Sequence, residues 1–181
     1  MGEKNTRLFA CVVQNRPGVL AHVAGLFAGR GFNIDSLTVG TTDDPRFSRM
    51  TIATHGDEQI LEQIRKQVSK IVDVVHVYDM GEVDAVERDL VLVKVNAPPS
   101  RRAEIVGLVD LFRGKVVDVG QRELILELSG TEDKIEAFVE LLRPHGIKEL
   151  ARTGRIAMAR GPKPAGDKTV ERKKDAKNGK P

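Results

Sequence analysis

The sequence predicts an α+β protein made of two similar halves in tandem. Apolar residues alternate along some segments and recur every three to four residues along others, which are the periodicities of strands and helices. The order of these segments, β-α-β-β-α-β, occurs twice along the 181-residue chain. Hydrophobic residues make up 40% of the chain, which is enough for an aliphatic core in each half.

The first repeat covers residues 7–81. Its first helix carries Val19, Val23 and Phe27 on one face, and Gly31 follows, where a helix end favours a left-handed residue. The predicted strands are 7–14, 32–40, 47–55 and 71–79, and the predicted helices are 17–30 and a second one that Asp57 caps.

The second repeat covers residues 89–160. An acidic stretch without periodicity, residues 82–88, precedes it and predicts a linker between two domains. Ile135, Phe138 and Leu142 recur at helical spacing near its end. The predicted strands are 89–96, 115–119, 123–128 and 146–151, and the predicted helices are one that Ser100 caps and one over 131–142.

Both repeats predict ferredoxin-like domains, in which an antiparallel sheet carries both helices on one face. The opposite face of each sheet is then bare. In a domain this small, a bare face or an unpaired edge strand often contacts another chain. We therefore expect the protein to form an oligomer.

The positive charge of the chain is concentrated at its C-terminal end. The formal net charge is +3, but residues 160–181 hold eight Lys or Arg and three acids, so the rest of the chain is acidic. Residues 161–181 contain almost no apolar side chain and cannot offset the entropy of ordering. They predict a disordered basic tail, which is usually solvated but is able to contact nucleic acid.

Composition and motifs weigh against several classes of function. The single cysteine, Cys11, lies in an apolar run and predicts a buried side chain in a reducing compartment. No signal segment and no apolar run of membrane-spanning length occurs, so we expect a cytoplasmic protein. No histidine stands at metal-ligand spacing and no nucleotide-binding or nucleophile motif occurs, so neither a catalytic centre nor a cofactor is expected in this chain.

Residues 15–18 (NRPG) form the strongest candidate site, between the first strand and the first helix. Pro17 fits the first position of a helix, where its missing N–H has no partner to lose. The N–H groups of Gly18, Val19 and Leu20 would then be free, at the positive end of the helix dipole. Gly18 would let a ligand approach the backbone. This arrangement predicts a site for a carboxylate or a phosphate.

Two amide side chains narrow the class of ligand. Asn15 lies in the turn and Asn33 begins the second strand, and each offers a donor and an acceptor. With aliphatic surroundings they suit an amino acid with an apolar side chain. A nucleotide would require more positive charge and an aromatic surface for stacking. The alternative is a plain strand–helix turn, and the residues alone leave both interpretations open.

Two longer stretches of the sequence resemble a known family. The stretch NRPGVLAHVAGLFAGRGFNIDSLTVG, followed by DDPRFSRMTI, resembles the small, regulatory subunits of acetolactate synthase (acetohydroxyacid synthase). The first repeat looks like an ACT domain, a common amino-acid-sensing module. The segments FRGKVVDV and DKIEAFVELLRPHGIKELARTGRIAMARG are similar to that family's C-terminal domain. The resemblance runs from residue 7 to about residue 161.

The resemblance implies a regulatory chain without chemistry of its own. In this family a separate catalytic subunit joins two pyruvates, or pyruvate and 2-oxobutyrate, using thiamine diphosphate, magnesium and FAD. That reaction opens branched-chain amino-acid biosynthesis. The small subunit is expected to bind and activate the catalytic subunit and to confer feedback inhibition by valine, in some members also by leucine or isoleucine.

The resemblance also implies where an effector would bind. Two ACT domains are expected to pair side by side in a homodimer, with the effector at their interface. Carried over to this sequence, the residues from one subunit would be Asn15, Gly18, Val19 and Leu20, and those from the partner would be Asn33 and Ile34.

Two other classes of function remain as alternatives. The first is a stand-alone amino-acid-sensing transcription regulator, for which the basic tail is the only feature, since no helix-turn-helix pattern occurs in the body of the chain. The second is a small enzyme with the same fold, which would have to turn over pyruvate by itself.

Overall fold

The computed structural model describes residues 6–161 and consists of two α+β domains joined in tandem. Each domain has an antiparallel sheet with two helices packed on one face. The predicted fold of two tandem ferredoxin-like domains is thereby confirmed.

The first domain has four strands in the order β2-β3-β1-β4. Phe9, Cys11 and Val13 of the central strand β1 point toward the helices and are completely buried, which confirms the prediction for Cys11. The strands are β1 (Thr6–Gln14), β2 (Ser36–Thr41), β3 (Phe47–His55) and β4 (Val74–Asp79), and the helices are α1 (Val19–Gly29) and α2 (Glu58–Val68).

The second domain repeats this topology around the order β6-β7-β5-β8. Val91, Val93 and Val95 of β5 are buried against the helices, like their counterparts in β1. The strands are β5 (Ala85–Asn96), β6 (Lys115–Val119), β7 (Glu123–Gly130), β8 (Ile147–Arg152) and β9 (Ile156–Ala159), and the helices are α3 (Arg102–Leu111) and α4 (Glu132–Leu142).

Several predicted element boundaries were wrong. Helix α1 begins at Val19 instead of residue 17, because Gly18 adopts a left-handed φ of 89° that a helix cannot include. Ser100 does not cap a helix, because it lies in a 3-10 turn and α3 starts at Arg102 without a side-chain cap. Strand β2 begins at Ser36 instead of residue 32.

The late start of β2 has a packing reason. Phe32 packs edge-on against Phe27 of α1, with ring centroids 6.1 Å apart, and Ile34 also packs against the first core. These contacts hold the chain under the helix, so the strand forms only after residue 35.

A second part of the structure was not predicted at all. Strand β9 pairs with the first third of β5, from Ala85 opposite Ala159 to Arg88 opposite Ile156. We call residues 85–88 and 156–159 the β5–β9 ribbon. Residues 85–88, which were expected to belong to a linker, therefore form a paired strand.

The β5–β9 ribbon covers part of the sheet face that was expected to be bare. Ala157 of the ribbon is only 4% exposed and packs with Leu8, Ala10 and Ala53, which lie on the face of the first sheet away from its helices. The two domains therefore share a small third core. The expectation of an uncovered face was wrong for this part of the first domain.

The predicted basic tail lies outside the described residues, except for Gly161. Within residues 6–161, no helix is both long enough and apolar enough to cross a membrane.

Candidate functional site

Backbone hydrogen bonds fix the conformation of the turn between β1 and α1. The N–H of Asn15 donates to the carbonyl of Arg46 at 2.8 Å, and the N–H of Arg16 donates to the carbonyl of Gln14 at 3.0 Å. The first helical hydrogen bond runs from the N–H of His22 to the carbonyl of Gly18 at 3.0 Å. Gly18 therefore occupies the capping position of α1, where a Ser or Asp would normally satisfy the free N–H groups with its side chain.

The N–H groups at this helix start are only partly free. Those of Gly18 and Leu20 have no acceptor among residues 6–161, whereas that of Val19 makes a long, weak bond of 3.5 Å to the carbonyl of Arg16. A Cβ on Gly18 would meet no atom within 4 Å, so the space beside the Cα of Gly18 is open. The prediction of free donors holds for two of the three N–H groups.

The side chains around these donors differ in their roles. Val19 is 3% exposed and belongs to the core, so it offers a ligand only its backbone. Leu20 is 46% exposed and presents an apolar surface beside the donors. Arg16 is exposed and makes no ion pair within the described part of the chain. A cation and unpaired N–H groups at a helix start together favour an anionic group.

Asn15 is partly committed to the neighbouring loop. Its Nδ2 donates to the carbonyl of Pro45 at 3.0 Å, which leaves Oδ1 available as an acceptor. The loop of residues 42–46 holds Asn15 through both the side chain and the backbone. The sequence signal for this role was the pair Asp44–Arg46, which closes the loop.

The Asp44–Arg46 ion pair lies within this loop. The side chain and the N–H of Arg46 both donate to the Asp44 carboxylate, at 2.5–3.0 Å, and these hydrogen bonds lower the pKa of Asp44. The carboxylate therefore stays ionised, and the guanidinium of Arg46 balances its charge beside the turn.

Asn33 and Ile34 lie in the segment before β2. The Nδ2 of Asn33 donates to Asp35 at 2.6 Å, and the same carboxylate contacts Nδ1 of His55 at 2.8 Å. The carbonyl of Asn33 accepts from the hydroxyl of Thr54 at 2.6 Å. Asn33 is exposed and keeps Oδ1 free, while Ile34 packs partly against the core.

Within one chain, the two groups of predicted site residues lie at opposite ends of the domain. Asn15 is next to the end of β1 that pairs with Phe47, whereas Asn33 is bonded next to His55, which pairs with Thr6 at the other end. These ends are eight residue steps apart along β3, a distance of about 26 Å at 3.3 Å per residue. One small ligand cannot touch both groups in a single chain.

The described residues contain no group of three or more His, Cys, Asp or Glu side chains placed to hold a metal ion. His22 contacts a single carboxylate, that of Asp73, at 3.5 Å, and His145 is buried.

Comparison with protein families identifies both domains. A family model described as the AHAS small subunit-like ACT domain matches residues 9–76. A second model, described as the small subunit of acetolactate synthase, matches residues 88–161. Together these matches cover most of the residues that the structure describes.

Relatives from distant organisms align along nearly their whole length. The chain is 53% identical to a probable acetolactate synthase small subunit of Archaeoglobus fulgidus over 154 residues, which is 85% of this chain and 96% of that one. It is 46% identical to the acetolactate synthase isozyme 3 small subunit of Salmonella typhimurium over 158 residues, covering 87% and 97% of the two chains.

A solved structure gives the same result. The crystal structure of the acetolactate synthase small subunit of Thermotoga maritima superimposes with a TM-score of 0.79 at 43% identity, and covers 87% of this chain and 99% of that one. These similarities do not favour a stand-alone transcription regulator. The chain belongs to the family of acetolactate synthase small subunits, the regulatory subunits of that enzyme of branched-chain amino-acid biosynthesis.

Proposed function

We propose that this chain binds and activates the catalytic subunit of acetolactate synthase and makes it sensitive to feedback by valine, leucine or isoleucine. The observation that carries this proposal is the helix start at Gly18, where two N–H groups have no acceptor among residues 6–161 and lie beside the exposed Leu20. Thiamine diphosphate, magnesium and FAD would belong to the catalytic subunit.

The chemistry of the turn suits an α-amino acid. The N–H groups of Gly18 and Leu20 would bind the carboxylate of the effector, and Oδ1 of Asn15 would accept from its ammonium group. Each charge-assisted hydrogen bond contributes about 1.5–3 kcal/mol. A sub-millimolar affinity requires about 4–6 kcal/mol, so two or three such bonds are sufficient.

The separation of Asn15 and Asn33 supports a site shared by two copies of the chain. Among residues 6–161, strand β2 is at the end of its sheet and has β3 on one side only. If two β2 strands pair antiparallel about a two-fold axis, the Asn33 end of one copy lies beside the loop after β2 of the other. That loop holds Asn15 through Pro45 and Arg46. A homodimer paired in this way would complete the site with Asn33 and Ile34 of the second copy.

Regulation would follow from the effector favouring one arrangement of the dimer. An effector shifts an equilibrium only by the difference in its affinity for the two states. A coupling of about 1–3 kcal/mol, or a 5- to 150-fold change in apparent affinity, is typical of such regulation.

Reconstitution with the catalytic subunit tests the proposal. Acetolactate formation would be measured for the catalytic subunit alone and with this chain, while valine, leucine and isoleucine are each titrated. We expect this chain to raise the rate and at least one of the three amino acids to lower it again.

The control is the same titration without this chain, which should show no added sensitivity. A rate that this chain does not change would contradict the proposed activation. A raised rate that none of the three amino acids lowers would contradict only the proposed feedback.

A further inference from the structure

The short loop between β8 and β9, residues 153–155, contacts both domains at a glycine where a side chain would be crowded. Gly154 is buried and has a left-handed φ of 87°. A Cβ on Gly154 would lie 3.1 Å from Cβ of Ser36 and 3.3 Å from Cγ2 of Thr38, both on β2. The absence of a side chain thus lets the loop approach the first domain more closely than any other residue would.

Hydrogen bonds from the first domain reinforce this contact. The guanidinium of Arg49 on β3 donates to the carbonyl of Ala157 at 2.8 Å, and the hydroxyl of Thr38 is 3.5 Å from the carbonyl of Arg155. Both acceptors are backbone atoms of the segment that follows Gly154. The first domain therefore holds this segment along its length.

The same loop is bonded tightly to the second domain. The carboxylate of Asp89, a buried residue at 3% exposure, accepts from the hydroxyl of Thr153 and the N–H of Gly154, both at 3.1 Å, and from Nε of Arg152 at 2.9 Å. Arg152 also contacts Glu136 at 2.5 Å. Partial burial tends to lower the pKa of Arg152, but its hydrogen bonds with Asp89 and Glu136 outweigh that effect, so the pKa is raised.

A second ion pair connects the loop to helix α4. The guanidinium of Arg155, only 11% exposed, donates to Glu132 at 2.5 Å. Glu132 and Glu136 both lie in the first half of α4. Because the loop is bonded on both sides of Gly154, it has little freedom to absorb a displacement by itself.

We propose that the loop of residues 153–155 transmits the state of the effector site to helix α4 of the second domain. Ser36, which faces Gly154, is only two residues after Ile34 of the predicted effector site. A shift of residues 33–36 on effector binding would press on Gly154 and move α4 through Glu132 and Glu136. The proposal rests on the proposed effector site.

The structure leaves room for such a movement beside the contact. A cavity of about 360 Å³ lies between the domains, bounded by Ser36, Leu37 and Ala53 on one side and by Thr153 and the loop on the other. The domains therefore touch closely at Gly154 but are not packed solidly around it.

The test uses Gly154→Ala, with Gly161→Ala as the matched control. Both glycines have positive φ, at 87° and 71°, but a Cβ on Gly161 meets no atom within 4 Å. Binding of valine, leucine and isoleucine to each full-length variant would be measured by calorimetry. Hydrogen exchange in residues 132–142 would be compared with and without the amino acid that binds.

We expect Gly154→Ala to bind the effector within about threefold of the unmodified chain, but to lose the effector-dependent change in exchange of α4. In the reconstituted enzyme, saturating effector should therefore inhibit the Gly154→Ala holoenzyme much less than the unmodified one, because bound effector no longer changes the state of the second domain. Gly161→Ala should retain both responses. Replacing Ser36 as well, in Ser36→Gly/Gly154→Ala, should restore part of the response, because the nearest atom is then removed.

A second variant covers the case in which Gly154→Ala does not fold. Arg155→Gln breaks the ion pair with Glu132 without adding bulk, and should likewise weaken the exchange response of α4 while leaving effector binding intact. Retained responses in folded Gly154→Ala, or in Arg155→Gln if the former does not fold, would overturn the role of the loop. Failure of the unmodified chain to bind any of the three amino acids would overturn the effector site, and this proposal with it.

Discussion

Two glycines show that the same backbone conformation serves different purposes. Gly18 and Gly154 both have φ near 90°, where most side chains are strained. In front of Gly18 there is open space, so its lack of a side chain exposes N–H groups. Around Gly154 the space is filled by β2, so its lack of a side chain permits contact between domains. Sequence alone suggested the first role, because Gly18 stands before a helix, but the second depends on residues more than a hundred positions away.

At the residue scale, two replacements of Gly18 distinguish the effect of charge on feedback inhibition from the effect of backbone strain. Gly18→Asp places a carboxylate against the carboxylate of the effector, and we expect it to abolish feedback inhibition while activation of the catalytic subunit survives. Gly18→Asn is the matched control, because Asn has nearly the same shape and also tolerates a left-handed φ. It should weaken inhibition much less than Gly18→Asp.

The measurement is effector titration of the reconstituted enzyme for both variants. Unchanged valine, leucine and isoleucine responses in Gly18→Asp would show that this turn is not the effector site. Equal loss in both variants would assign the effect to bulk or backbone strain in place of charge.

At the scale of elements, the boundary of a helix was predicted correctly where a single residue determines it. Asp57 was predicted to cap α2, and its Oδ1 accepts from the N–H of Ile60 at 2.8 Å. The start of β2 was not predictable in this way, because Phe32 and Ile34 alternate like strand residues yet pack under α1. Period-two alternation shows which side chains are buried, but not whether the backbone pairs with a strand.

On helix α2, the ionised side chain of Glu62 contributes to stability in a way that depends on pH. Hydrogen bonds from Arg65 and then Lys66 lower the pKa of Glu62 to about 2, well below its usual 4.5. Because the pKa is lowered in the folded state, the stabilisation is present above about pH 4.5 and is lost as the pH falls toward 2. Glu62 is 39% exposed, so screening keeps the contribution below about 1 kcal/mol.

Urea denaturation at pH 7, 4.5, 3 and 2 would test this contribution. Glu62→Gln should be less stable than the unmodified chain at pH 7, and the difference should shrink to nearly zero at pH 2. In the Arg65→Gln background, Glu62→Gln should lower the free energy of unfolding by less than it does in the unmodified chain, since Arg65, the main partner of Glu62, is already missing. A difference that is the same at every pH would contradict the assignment.

At the scale of the whole molecule, the free edge of β2 is where a second copy is proposed to bind. The N–H of Thr42 donates to the carbonyl of Phe47 at 3.0 Å, and bonded pairs alternate along an antiparallel ladder. In this register the N–H of Gly40 points toward β3, whereas the N–H of Val39 points away from β3, toward the open edge of the sheet. Val39 is also 47% exposed, so its replacement leaves the core intact.

Val39→Pro therefore removes an outward donor without breaking the internal ladder. We expect the variant to be monomeric in sedimentation-velocity experiments at concentrations where the unmodified chain is dimeric, with unchanged circular dichroism. Val39→Ala keeps the N–H and should remain dimeric. A dimer that survives Val39→Pro would place the interface elsewhere on the molecule, and the shared effector site would then lose its geometric support.

The periodicity of apolar residues determined the two β-α-β-β-α-β domains and the buried Cys11, because those properties depend on neighbours within a few residues. The NRPG turn and the longer matching stretches carried the resemblance to the family, which depends on the order of residues along the chain and not on the fold. Strand β9 and the β5–β9 ribbon could not be found in this way, since Ala157 is buried in a core that includes Leu8, Ala10 and Ala53, which are distant in the sequence and belong to the other domain. Tertiary structure alone decided that the two domains meet at Gly154, and that Asn15 and Asn33 lie too far apart in one chain to share a ligand.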